Sequence, residues 1–237
     1  MKKVRYGIDA PRVVVSLGMW GLLALFIAVI RFDLRLGPVI FPHQSFYYPA
    51  AILLAESALM LDYSLRGKYR HRDKMIGMVQ WRGDEQVLDV GTGRGLLLIG
   101  AAKRLTTGHA TGIDIWSQKD LSANRPERTR MNIEAEGVAD RCELRNEPAQ
   151  KMTFPSASFD VILSNQCLHN IALDAERDQA CAEIARVLKP GGKIVLSDFI
   201  NTKHYAKEFQ KAGLKVERRG WYPFLKIVHA EKPATST

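Results

Sequence analysis

Val87-Leu88-Asp89-Val90-Gly91-Thr92-Gly93-Arg94-Gly95 is the stretch on which the fold turns. Gln86–Val90 reads as a short buried strand, and Leu96–Leu105 as a helix. Three glycines at alternate positions join them, so the chain must turn sharply between the two elements. Strand, glycine turn and helix in that order mark the first unit of a parallel α/β sheet. In such sheets ligands bind beyond the carboxyl ends of the strands, where this turn falls. Glycine lets the backbone approach a ligand closely, and the helix start offers free N–H groups.

The same alternation continues outward. Ala110–Trp116 reads as a second strand, and Pro126–Glu136 as a helix ended by Gly137. Cys142–Arg145 gives a third strand and Phe159–Leu168 a fourth. A helix at Ala175–Leu188 is stopped by Pro190-Gly191-Gly192, before a fifth strand at Lys193–Phe199. A short helix at Tyr205–Ala212 precedes two last strands, Lys215–Arg219 and Leu225–Ala230, and a tail at 233–237 expected to be disordered. The expected fold is α/β, a Rossmann-like sheet with helices on both faces, over residues 83–232.

The ligand class follows from what the turn lacks. A dinucleotide fingerprint needs Gly or Ala where Leu96 stands, and no phosphate-cradling G-x-x-x-x-G-K-[ST] occurs. Asp89, two residues before the first glycine, repels a pyrophosphate but suits a ligand carrying an amine. Asp114 closes the second strand, where it can accept hydrogen bonds from ribose hydroxyls.

Four segments then carry a resemblance: VLDVGTGRG (87–95), GIDIW (112–116), FDVILSNQCLHN (159–170) and LKPGGKIVLSDF (188–199). In this order and spacing they resemble the signatures of class I S-adenosylmethionine-dependent methyltransferases, nearest the type 11 group with the quinone-biosynthesis enzymes. The likeness runs from about Gly83 to Gly213. It implies a seven-stranded sheet with a reversed last strand and S-adenosyl-L-methionine as cofactor. It also implies that Asp89, Gly91, Thr92, Gly93 and Gly95 cradle the methionine part, Asp114 holds the ribose and Ile115 packs on adenine. Asn165 joins these cofactor contacts. Many relatives place an acid after the third strand to read the adenine amino group. Here the turn is Glu147-Pro148-Ala149, so Glu147 or the backbone of Ala149 takes that part.

Methyl transfer from a sulfonium needs mainly a positioned acceptor and excluded water. An acceptor that must lose a proton gains from a base, and His169, just past the fourth strand, is the catalytic candidate. A purely structural His169 is the competing reading. Asp198, His204, Tyr205, Lys119, Asp120 and Asn124 are secondary candidates, whereas Cys167 reads as a buried strand residue. A nicotinamide-dependent reductase, disfavoured by Leu96, and a silent scaffold of the same fold are the other-class alternatives.

Composition places the rest. With 46% hydrophobic and 25% charged residues the chain is neither disordered nor fibrous. Three cysteines without C-x-x-C exclude a disulfide scaffold, and no metal site is expected. The net charge of +9 is uneven: residues 1–75 hold 11 Lys+Arg against five acids, a net +6. The remaining +3 offers little field for nucleic acid, and none is expected as a partner.

That basic excess brackets apolar sequence. Val13–Ile30 is uncharged and, as a helix, ~27 Å long, close to the hydrocarbon thickness. Phe46–Leu61 is a second apolar stretch, interrupted by Glu56, and it can span or lie in the interface. Residues 1–64 therefore read as a membrane hairpin with 13–30 and 46–61 in the lipid bilayer; two packed soluble helices are the alternative. Residues 65–82 read as a basic amphipathic linker helix. The charge bias puts both ends, and the catalytic domain, on the cytoplasmic side of the cytoplasmic membrane. A small-molecule, lipophilic acceptor (a quinone or phenol, a lipid or a thiol) follows from that co-location. Oligomeric state is not legible.

Overall fold

A computed structural model describes residues 6–117, 124–221 and 225–234, and divides the chain into two compact units. One unit is Gly7–Tyr69; the other holds Tyr6 and everything from Arg70 onward.

In the first unit, helix α1 (Pro11–Val29) and helix α2 (Tyr47–Asp62) pack against each other. The contact uses small residues. Ser57 Oγ donates to Val14 O at 2.9 Å, and a Cβ on Gly21 would meet Leu54 at 2.8 Å. The connection, expected as a loop, contains an antiparallel ribbon of β1 (Leu34–Leu36) and β2 (Val39–Phe41). Gly37, at φ +58, makes its turn possible. Much of the apolar surface is exposed, including Met19, Trp20, Phe26 and Val29 of α1 and Tyr48 and Leu59 of α2.

Helix α3 (Lys68–Ile76) corrects one reading of the linker. Its apolar residues Met75 and Ile76, with Val79 beyond it, are buried. Ile76 and Arg72 lie where a side chain on Gly100 would sit. Those apolar residues are therefore spent on the protein's own packing and do not face lipid.

The second unit is a seven-stranded sheet. Its strands are β3 (Gln86–Val90), β4 (His109–Asp114), β5 (Cys142–Asn146), β6 (Phe159–Asn165), β7 (Leu188–Asp198), β8 (Lys215–Gly220) and β9 (Lys226–Glu231). The spatial order is β5-β4-β3-β6-β7-β9-β8, with β9 antiparallel to both neighbours. The reversed last strand is as expected. The order changes direction between β3 and β6, which puts the glycine turn at the switch point.

Helices α4 (Leu96–Ala102), α5 (Pro126–Ala135), α6 (Asp174–Val187) and α7 (Thr202–Lys211) complete the unit. Leu88, Val90, Ile162, Ile194 and Leu196 form a core with Ile184 of α6 and Tyr205 and Phe209 of α7. Each such aliphatic side chain contributes ~1.5–3 kcal/mol by leaving water.

Several strand ends shift from expectation, two of them by three residues or more. The fourth strand stops at Asn165 because Gln166 takes a left-handed φ of +52. The fifth begins at Leu188, since Gly191 N donates to Lys232 O at 2.8 Å and Lys232 N to Gly192 O at 3.0 Å.

Candidate active site

The glycine turn is built from both sides. Gly91, Gly93 and Gly95 have φ of +74, +50 and +81, left-handed conformations that other residues reach only at a cost. At Gly91 a Cβ would lie 2.2 Å from Cys167 Sγ, so glycine lets the turn after β6 close against the loop. Gly91 N and Thr92 N both donate to Ile113 O, at 2.9 and 3.0 Å. From α5, Thr129 Oγ1 donates to Gly93 O at 2.6 Å and Asn132 Nδ2 to Arg94 O at 3.0 Å.

Asp89 sits beneath this loop. Its Oδ2 accepts from Thr92 Oγ1 at 2.7 Å and from Leu98 N at 3.0 Å, so it satisfies a free N–H in the first turn of α4. Burial lifts its carboxyl from 3.8 to about 7, the Asp114 charge adds to the lift, and the two hydrogen bonds oppose it. A folded-state pKa raised this way costs stability as pH climbs from 3.8 through about 7. Asp89→Asn is therefore expected to melt progressively higher relative to the unaltered protein over that range, by roughly 5–10 °C at neutral pH. Calorimetric melting of both proteins from pH 4 to 8 checks it, and a constant difference would refute it.

Asp114 ends β4 with both oxygens engaged. Oδ2 accepts from Gly93 N at 2.8 Å, and Oδ1 from Trp116 N at 2.7 Å and Asn124 Nδ2 at 3.2 Å. Ile115 beside it is 61% exposed, a free apolar face. Asn124 is buried next to the carboxylate, and its Oδ1 has no hydrogen-bond partner among the described residues. Lys119 and Asp120 lie outside the described residues. On the next strand, Glu147 N donates to Asp114 O at 3.2 Å, while the Glu147 carboxylate accepts from Thr153 N. That carboxylate braces its own loop, and Ala149 is buried behind it.

On the other side of the loop stand the ends of β6 and β7. Ser164 Oγ donates to Val90 O at 2.9 Å, which seats Asn165 level with the first glycine. His169 Nδ1 lies 2.9 Å from Oδ1 of Asp198, a carboxylate that is 0% exposed. Asp198 also accepts from His169 N at 3.2 Å and Phe199 N at 2.9 Å, and the Tyr205 hydroxyl is 3.4 Å from its Oδ2. Burial, then the Asp198 charge, push the Tyr205 phenol well above its ordinary value, so it stays protonated. The His169 ring tilts against Phe199, centroids 4.4 Å apart. Phe199, Ile200 and Leu173, from the two loops bearing this pair, are all exposed. His204 instead pairs with Asp178, Nε2 to Oδ1 2.5 Å.

One site residue escaped the sequence reading. His71 of α3 is fully buried, with Nε2 2.8 Å from Ser197 Oγ. Burial pushes its pKa from 6.5 to about 4, with the nearby Asn165 amide opposing the shift. The signal was present: His71, Met75 and Val79 fall at helical four-residue spacing on one face.

Comparison with known proteins places this arrangement. Residues 88–196 match the family described as methyltransferase domain. The 27-O-demethylrifamycin SV methyltransferase of Amycolatopsis mediterranei is 33% identical over 134 residues, 55% of this chain and 44% of that protein. A ubiquinone/menaquinone biosynthesis C-methyltransferase of Geotalea daltonii is 30% identical over 125 residues, 52% of this chain and 49% of that one. The chain spans about half the length of these curated relatives. A SAM-dependent methyltransferase structure from Aquifex aeolicus superimposes with TM-score 0.56 at 18% identity, over 68% of this chain and 88% of that one. The sheet unit thus has the methyltransferase fold, and it carries a segment matching the methyltransferase domain.

Proposed function

We propose that this chain transfers a methyl group from S-adenosylmethionine to a small lipophilic acceptor, with the acceptor supplied from a membrane. The juxtaposition of the His169–Asp198 pair with the exposed apolar side chains of Leu173, Phe199 and Ile200 carries the acceptor part of this reading.

The residues around the glycine loop fit the cofactor. Two carboxylates, Asp89 and Asp114, face a loop that would receive a cation, and a cation draws Asp89 toward its ionised form. Asp114 is placed for a diol, Ile115 offers an apolar face, and the unpartnered Oδ1 of Asn124 is a buried acceptor awaiting a donor. When bound, the sulfonium supplies an activated methyl and a neutral thioether leaving group. The chain's own part is to orient, to exclude water and to move one proton. His169, with Nδ1 2.9 Å from Asp198 Oδ1, keeps Nε2 for the acceptor's proton, and the buried carboxylate stabilises the imidazolium that forms. Phe199 tilts against that ring, where a flat apolar acceptor would rest.

The first unit supports the membrane part. Helix α1 is 19 residues long, with a mean hydropathy of 2.1 across an 18-residue window. Its exposed Met19, Trp20, Phe26 and Val29 form a surface that water does not favour. Small residues at the contact with α2 are what helix pairs in lipid use. Helix α2 is shorter, at 16 residues, and exposes Glu56, so we assign the crossing to α1 and an accompanying position to α2. The basic excess of residues 1–75 then sets the catalytic unit on the cytoplasmic side.

The test is transfer of radiolabelled methyl from S-adenosylmethionine to extracted membrane lipids and quinols, with Asp114→Ala as control. Label is expected in the organic phase with the unaltered protein alone. Label confined to water-soluble products would reject a lipophilic acceptor, and release of the full chain by alkaline carbonate would reject the membrane part.

A further inference from the structure

We infer that His71 is a positioning residue: it anchors the last rung of the β6–β7 pairing at Ser197 and thereby sets Asp198, which flanks the reaction site. This rests on the proposed methyltransferase reading of that site and adds to it a residue outside the matched segment, 88–196.

A buried imidazole is a costly way to fill space. Its neighbours Met75 and Ile76 show that this face of α3 accepts aliphatic side chains. An imidazole here must recover its desolvation through hydrogen bonds. Nε2 lies 2.8 Å from Ser197 Oγ of β7, and Ser197 is paired with Asn165 of β6. That pair is the last rung of the parallel β6–β7 ladder. Past that rung the strands part. Gln166 turns left-handed, although its N–H still donates to Ser197 O at 2.8 Å. The contact at Ser197 thus holds the last paired position before the site loops begin.

A neutral ring suits this work. It has one donor and one acceptor nitrogen, and an hydroxyl can bond to either. A protonated ring offers two donors, and burial keeps His71 from that form down to about pH 4. Both residues of that rung bear on the site. Asn165 lies beside Gly91, where the turn after β6 meets the glycine loop. Ser197 precedes Asp198, whose carboxylate holds the His169 ring, and successive strand residues point to opposite faces. Fixing Ser197 from the α3 side therefore fixes the direction of Asp198 on the other.

The experiment uses the full chain, with S-adenosylhomocysteine as calorimetric probe and ¹⁵N-histidine NMR to follow the His169 ring. His71→Leu fills the space without hydrogen bonds, His71→Gln keeps one donor and one acceptor, and Ser197→Ala removes one partner alone. His71→Leu is expected to weaken S-adenosylhomocysteine binding about 10-fold and to shift the His169 ring titration. His71→Gln is expected to restore most of the affinity, and Ser197→Ala to reproduce part of the loss. Adding Ser197→Ala to His71→Leu should cost nothing further, as for two members of one contact. Should His71→Leu fail to fold, the milder Ser197→Ala and His71→Gln carry the same comparison. Unchanged affinity and unchanged His169 titration in the folded variants would overturn the inference. No binding by the unaltered protein would instead overturn the cofactor reading beneath it.

Discussion

Asp114→Ala is expected to weaken S-adenosylhomocysteine binding by ~10²–10⁴-fold, as measured by titration calorimetry. The size comes from two roles held by one carboxylate. Toward the ligand, in the proposed cofactor reading it accepts from a ribose diol, and hydrogen bonds to a charged group contribute ~1.5–3 kcal/mol each. Toward the protein, it accepts from Gly93 N at 2.8 Å and Trp116 N at 2.7 Å, tying the glycine loop to the end of β4. Alanine removes both roles and leaves those N–H groups to water. Asp114→Asn should fall between, because one amide oxygen remains while the amide nitrogen cannot accept. A loss smaller than about threefold in the alanine variant would mean that the nucleoside half of the cofactor lies elsewhere.

How much of this was legible beforehand depended on where the signal resides. Gln86–Val90 was read with its exact ends because its buried Val87, Leu88 and Val90 are followed at once by a turn of closely spaced glycines. The reversed β9 came through the resemblance alone, since nothing in Lys226–Glu231 encodes direction. Misses fell where a tertiary contact overrode local preference. Nothing local marks Gln166 as left-handed, yet the close approach of Cys167 to Gly91 bends the chain there and ends β6.

The linker shows the same rule. Residues 65–82 read as a basic amphipathic linker helix, but Lys68 is buried, within 3.4 Å of Asp9, and Met75 is fully buried. His71 stayed hidden because its partner Ser197 lies far along the chain and is set in place only by β6–β7 pairing. Asp89 and Glu147 were singled out by position, but their work on the backbone of Leu98 and Thr153 belongs to loop geometry that sequence does not display.

His169→Gln is expected to lower kcat by ~10²–10⁴-fold with an acceptor that must lose a proton, while leaving S-adenosylhomocysteine affinity within a factor of about two. Glutamine keeps a side chain of similar reach beside Phe199, so the apolar shelf survives and only proton uptake is lost. Asp198→Asn tests the other half of the pair. It leaves a donor where His169 Nδ1 now meets a carboxylate oxygen at 2.9 Å, so the ring must turn or change tautomer. Combining the two should cost little beyond His169→Gln alone, because an orienting carboxylate has no work once the base is gone. Additive losses would mean that Asp198 acts independently, through the Tyr205 hydroxyl 3.4 Å from its other oxygen. An unchanged rate in His169→Gln would make the pair structural, leaving alignment against Phe199, Ile200 and Leu173 as the protein's whole contribution to the methyl transfer.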